Sequence, residues 1–206
     1  MVGAHCMCPK DIHVGAKSIF AQEFEYVGLP LVVTQNKTQI KNNGGKMLNK
    51  ISIENYKSIE KVEIDIKDIN ILIGSNGAGK SNFISFFKLL NSIVKQKLQS
   101  YVAEESGANN VFHHGLKNSE FIKGEFDFNS AKHHNIYSFT LNANKDGGVY
   151  FEEEIPFYKH DIYTGNYSDN IASGNFETNL FKNHRKADEY LINRLQEFRL
   201  YHFHDT

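Results

Sequence analysis

The stretch Ile69-Asn70-Ile71-Leu72-Ile73-Gly74-Ser75-Asn76-Gly77-Ala78-Gly79-Lys80-Ser81-Asn82 decides how the rest of the chain is read. Its first five residues are nearly all apolar and β-branched, the pattern of a central strand covered on both faces. Gly74 to Ser81 then match G-x-x-x-x-G-K-[ST] at every fixed position. From Ser81 the apolar period changes to three and four. Phe83, Phe86, Phe87, Leu90, Val94 and Leu98 predict an amphipathic helix of about five turns.

A glycine loop between a buried strand and a helix suits a polyphosphate. The phosphates must approach the backbone closely, so Gly74, Gly77 and Gly79 remove side chains and allow the dihedrals that turn N–H groups inward. Ser75, Asn76 and Ala78 complete the loop. The helix opening near Gly79 adds unpaired N–H groups and a partial positive charge. Lys80 reaches the β- and γ-phosphates as a point charge and is the candidate catalytic residue. Ser81 offers a hydroxyl to Mg²⁺, an ion that keeps most of its waters and takes few protein ligands. Asn82 closes the set. The expected ligand is a purine nucleoside triphosphate with Mg²⁺.

Outward from the loop, Ile51 and Ile53 alternate with polar residues, as do Val62, Ile64 and Ile66, which predicts two strands ahead of it. Beyond the helix, Tyr101–Gly115 reads as loop. Alternation returns at Ile122, Gly124, Phe126 and Phe128, and again at Tyr137, Phe139 and Leu141. Lys145-Asp146-Gly147-Gly148 signals a hairpin turn into Val149-Tyr150-Phe151. Residues 156–177 read as polar and irregular. Ala187, Leu191, Leu195 and Phe198 predict a second helix, and Leu200–Phe203 a last short strand. The fold class expected is α/β: a mixed sheet carrying the phosphate loop, with an antiparallel portion around 119–155. Residues 1–46 lack sustained periodicity, and the ordered pattern starts at Met47. The expected division is an extension over 1–46 and a nucleotide-binding domain over 47–206.

The chain has 206 residues, a formal net charge of −1, 40% hydrophobic and 23% charged residues. That excludes a compositionally disordered chain and gives no global basic footprint for nucleic acid. No window reaches the ~18 apolar residues of a spanning helix, so no membrane partner is expected. Cys6 and Cys8 are too close to staple a secreted domain, which predicts an intracellular, cytoplasmic chain.

Leu48-Asn49-Lys50-Ile51-Ser52-Ile53-Glu54-Asn55-Tyr56-Lys57-Ser58-Ile59 resembles the opening strand of SMC/RecF-type ATPases within the ABC-like P-loop group. Ile71 to Asn82 resembles their Walker A motif, where Asn76 and the trailing Asn82 are typical. Ser85–Leu90, Tyr101-Val102-Ala103-Glu104 and Tyr201–Thr206 resemble the predicted AAA-type ATPases of bacteria. The resemblance covers Met47 to Thr206. It implies ATP rather than GTP, Mg-dependent hydrolysis in a complete protein, and closure as a head-to-head homodimer. By analogy alone it also implies DNA or a nuclease as a partner. It places Lys57 near the nucleotide. The guanine-reading Asn-Lys-x-Asp pattern is not met, because Asn144-Lys145-Asp146 lacks the spacer.

Two family elements have no match. The Walker B strand should end in Asp-Glu, and Tyr150-Phe151-Glu152-Glu153 follows a hairpin turn with the wrong acid first. Ala172-Ser173-Gly174-Asn175 is no signature loop. The expectation is therefore the N-terminal lobe of a longer ATPase, slow on its own; the alternative is a catalytically incomplete module for nucleotide binding or protein interaction. Weaker signals take bland readings. His5-Cys6-Met7-Cys8 reads as a tail, His113-His114 and His133-His134 as surface pairs, and Glu152–Glu154 as a solvated run. His202 and His204 would share one face of a strand.

Overall fold

The computed structural model describes residues 13–15, 31–35, 48–67, 69–128, 133–160, 166–182 and 185–202. In chain order the described elements are β1 (His13–Gly15), β2 (Leu31–Gln35), β3 (Lys50–Tyr56), β4 (Ile59–Asp65), β5 (Ile71–Ile73), α1 (Lys80–Val94) and α2 (Leu98–Glu104). A 3-10 turn (Ala108–Asn110) precedes β6 (Phe121–Asp127), β7 (His133–Ala143), β8 (Val149–His160), β9 (Asn166–Ser168), α3 (Lys186–Gln196) and β10 (Phe198–His202). Six strands form one antiparallel sheet in the order β4-β3-β6-β7-β8-β9. Two antiparallel pairs stand outside it, β1 with β5 and β2 with β10. The class is α/β, with a mainly antiparallel sheet and helices on its buried face.

The helix that follows the glycine loop is fixed by rings. Its buried face carries Phe83, Phe86, Phe87, Leu89, Leu90, Ile93 and Val94. Phe86 meets Tyr56 edge-on at 5.1 Å and lies parallel to Phe126 at 6.0 Å and Phe139 at 6.2 Å. Such pairs add about 0.5–1.5 kcal/mol each beyond area burial. The rings lie close over the sheet because β6 carries Gly124 there. A Cβ at Gly124 would stand 2.6 Å from the Phe139 ring and 2.9 Å from that of Phe86.

Several expectations change. The predicted five-turn helix is two helices: α1 ends at Val94, Gln96 turns left-handed with φ 54, and α2 begins at Leu98. The second helix and the 3-10 turn occupy a segment read as loop, because Leu98, Tyr101 and Val102 bury an apolar face among polar neighbours. Strand β8 runs through Pro156 to His160 rather than ending before it. Phe198 opens β10 instead of closing the second helix, and its ring lies 5.5 Å from that of Phe87 on α1. The strand before the loop is not covered on both faces. Leu72 packs against the core, whereas Ile69, Ile71 and Ile73 are 75%, 51% and 66% exposed. Its described partner is the short β1, and no described element lies over its outer face.

The acidic run is also not uniformly solvated. The β7–β8 register shifts between Thr140 and Leu141, so one extra residue enters β8. Glu152 and Glu153 both face outward and Glu154 is turned inside, fully buried. Its carboxylate accepts hydrogen bonds from the Tyr137 hydroxyl at 2.8 Å, the Asn179 N–H at 2.8 Å and the Thr178 hydroxyl. The segment 170–180 is thereby pinned to the sheet. Burial raises the Glu154 pKa above its ordinary 4.5, against the pull of these donors and with help from the charge of Asp188. Asp188 on α3 is itself buried and raised, opposed by Arg185 at 3.2 Å.

Two stability predictions follow from this packing. Gly124→Ala drives a methyl into the Phe86–Phe139 contact and should cost about 1–3 kcal/mol in denaturant unfolding. Glu154 and Asp188 hold their protons to higher pH folded than unfolded, so the folded state binds more protons just above their ordinary values. Their contribution is therefore greatest at low pH and is lost as pH rises from 3.8 for Asp188 and 4.5 for Glu154 through the folded pKa of each. Melting curves of the wild type should move down across that window, and Glu154→Gln should flatten the slope while lowering stability at its acidic end.

Candidate functional site

Gly77 and Gly79 adopt φ of 86° and 90°, a region that L side chains rarely enter. They fold the loop so that Lys80 begins α1 directly after a left-handed residue. The helix N-terminus has no side-chain cap and no acidic residue in its first turn. Its orphan N–H groups and the positive end of the dipole are left for an external acceptor. Gly74 to Gly77 and Ser81 are exposed. Lys80 Nζ arches back over the loop and donates to the carbonyls of Gly74 and Ser75, both at 2.7 Å. Its ammonium is thus held against the loop backbone at the start of α1. An uncapped helix start, an ammonium and an exposed hydroxyl at Ser81 make up a group of donors of the kind that suits a phosphate chain.

The loop is braced from behind by the β3–β4 turn. Asn82 Nδ2 donates to Ser58 Oγ at 2.7 Å, so its amide is committed to that turn. The turn is tight, with Asn55 at φ 59° and Lys57 at φ 51°. It is strapped to the segment after α2: Lys57 N–H donates to the Val111 carbonyl at 2.9 Å, His113 N–H to that of Asn55 at 3.0 Å, and His113 Nδ1 lies 2.8 Å from the Lys57 carbonyl. Lys57 Nζ meets a Glu105 carboxylate oxygen at 2.9 Å, with both side chains mostly buried. A cleft of about 470 Å³ opens beside this turn, lined by Ser58, Asn82, Asn109, Asn110, His114 and Lys57 among others.

A buried chain of hydroxyls links α1 to α2. Ser85 Oγ donates to the Asn82 carbonyl at 2.9 Å, Tyr56 OH lies 2.9 Å from Ser85 Oγ, and Tyr101 OH lies 2.6 Å from Tyr56 OH. Each hydroxyl has one hydrogen. Ser85 spends its own on Asn82, so Tyr56 donates to Ser85 and Tyr101 to Tyr56. Burial pushes both phenols above the ordinary tyrosine range, so both stay protonated.

The sequence located the loop but not its supports. Tyr56, Ser58, Ser85 and Tyr101 fall in stretches that resemble the family, but the resemblance does not tell which of them meet in space, and Glu105 lies outside those stretches. Lys57 sits in the brace, ion-paired. His113 and His114 lie on a turn with rings 4.2 Å apart, not on a strand. Cys6, Cys8 and His204 lie outside the described residues. Among the described residues, no group of three or more His, Cys, Asp or Glu side chains is arranged to hold a metal, and no helix is long and apolar enough to cross a membrane.

Strand, glycine loop and uncapped helix together define a P-loop ATPase domain. Protein-family models identify which one: residues 47–202 match the AAA ATPase domain, and the chain belongs to that family. No curated protein and no solved structure matches it.

Proposed function

We propose that this AAA ATPase domain binds Mg·ATP through Gly74, Ser75, Asn76, Gly77, Ala78, Gly79, Lys80, Ser81 and Asn82. The observation that carries the reading is the uncapped start of α1 with Lys80 poised over it. Loop and helix amides take the phosphate oxygens, Lys80 neutralises the terminal phosphates, and Asn82 keeps the helix start in place through Ser58. Mg²⁺, when bound beside Ser81, supplies charge neutralisation at the phosphate chain. The resemblance of Met47 to Asn82 supports an SMC/RecF-like member, closing on ATP head to head as a homodimer. Residues 47–206 act as its N-terminal lobe and residues 1–46 as an extension, with DNA or a nuclease as partner classes by analogy. A second reading, a nucleotide-binding module acting through a protein partner, is favoured by the bare row Ile69, Ile71 and Ile73.

Lys80→Ala tests the binding site. Its contacts are charge-assisted and worth about 1.5–3 kcal/mol each, so calorimetric titration should show ATP affinity down by about ten- to a hundredfold with the fold intact. Equal affinity in both proteins would remove Lys80 from the site.

Turnover is a separate matter. Ground-state contacts to the phosphates lower the barrier only where they strengthen in the transition state. Rate enhancement needs a carboxylate that orders the metal shell and orients water. The acids of β8 are committed elsewhere: Glu152 accepts from Asn142 at 2.7 Å, Glu153 from Thr140 at 3.4 Å, and Glu154 from the buried donors named above. Residues 1–206 should therefore bind ATP and release phosphate no faster than background. Multiple turnover that vanishes in Lys80→Ala would overturn this expectation.

A further inference from the structure

The cleft beside the β3–β4 turn includes Asn82, which follows Ser81 in the first turn of α1. Of the described residues lining it, Lys57 alone carries a permanent charge, and that charge is spent on Glu105 at 2.9 Å. Glu105 lies one turn beyond Tyr101, just past the end of α2, so the Tyr101 hydroxyl and the Glu105 carboxylate share a helix face. The hydroxyl chain that ends at the Asn82 carbonyl assigns the Tyr101 hydrogen to Tyr56, and the Glu105 carboxylate stands beside the same hydroxyl as its other acceptor.

We propose that Glu105 is an internal competitor for Lys57, surrendering it to an anionic oxygen of the bound nucleotide, and that Tyr101 takes over the carboxylate when Lys57 leaves. The inference rests on the reading that the loop holds ATP. The exchange solves an electrostatic problem. A partly buried carboxylate stripped of its cation is costly unless another donor replaces it. Tyr101 is that donor, and the hydroxyl chain makes the replacement possible without any new proton. If Tyr101 donates to Glu105, Tyr56 turns to donate to Tyr101, and Ser85 turns to donate to Tyr56. Three hydrogens serve three contacts in either direction. The Asn82 carbonyl loses the Ser85 hydroxyl, which leaves it a helix carbonyl of the ordinary kind. Lys57 is well placed to move, because a lysine stem swings its ammonium as a point charge. The left-handed turn that presents it is fixed by backbone contacts from Val111 and His113 rather than by the ion pair. Tyr101 and Glu105 are thus positioning residues: neither touches the nucleotide, and both act through Lys57.

The test is calorimetric titration of Mg·ATP into the full chain and four sets of variants, each checked for its melting transition. Glu105→Gln should bind ATP about two- to fivefold more tightly, the range of a partly exposed ion pair removed as a competitor. Lys57→Gln should weaken binding and abolish the effect of Glu105→Gln. Tyr101→Phe should weaken binding about two- to tenfold, and this loss should vanish when Glu105 is Gln. A purely structural Tyr101 would lose the same factor in both backgrounds, which overturns its assignment. Unchanged or weaker binding in Glu105→Gln overturns the proposal, with Glu105→Ala as the second variant should the first fail to fold. Wild-type binding that depends on Lys80 while Glu105→Gln gains nothing defeats this inference alone. A wild type that does not bind Mg·ATP at all defeats the nucleotide reading and the inference with it.

Discussion

The arrangement depends on one close contact, the ring of Phe86 against a sheet position with no side chain. Gly124 lets α1 approach the antiparallel strands closely enough for Phe86 to touch Tyr56, Phe126 and Phe139 together. The helix that begins at the glycine loop is therefore seated on a rigid aromatic layer. Its first turn inherits that rigidity through two polar ties, Asn82 to Ser58 and Ser85 to Tyr56. The loop needs both properties. It must leave its amides open, and it must not collapse onto them when no acceptor is there. Packing holds the helix from below while Lys80 is kept over the loop by carbonyl contacts that a stronger acceptor can replace.

The region around the loop is polarised in two directions. The loop itself is exposed and the helix that follows it starts uncapped. The brace behind it is a closed hydrogen-bond economy in which the hydroxyl hydrogens are accounted for. Buried polar chains of this kind are stable only when every member is satisfied. They also transmit direction, because reversing one hydrogen obliges its neighbours to follow. A change at the cleft wall can thus be felt at the first turn of α1 without any displacement of the backbone.

The glycine loop was legible in the sequence because its left-handed turns call for glycine at fixed local positions, Gly77 and Gly79. The β3, β4, β6 and β7 strands were legible because each has one wet face and alternates. What failed to show had non-local causes. The break at Gln96 is a single left-handed residue inside an unbroken apolar rhythm, so the period continued across two helices. Helix α2 hid among Ser, Gly and Asn residues because only one narrow face of it is buried. The row Ile69, Ile71, Ile73 has the composition of an interior strand, and composition cannot say whether the covering layer is among the described residues. The supports of the site, Ser58, Tyr56, Ser85, Tyr101 and Glu105, are common residues whose roles come from which turns meet in space.

The bulge in β8 gives the acidic run a grammar. Glu152, Glu153 and Glu154 are the same amino acid three times over, yet two sit in water and one holds down a neighbouring segment from inside the sheet. Charge and composition would scarcely register the loss of one of them. The phase of the strand is what the bulge adjusts: with one outward glutamate removed, strict alternation still keeps Phe151 and Glu154 inside, whereas an added residue without a second bulge sends Glu154 to the opposite face. For this stretch an insertion is a harsher change than the loss of one outward glutamate, because only the insertion moves the buried carboxylate out of phase.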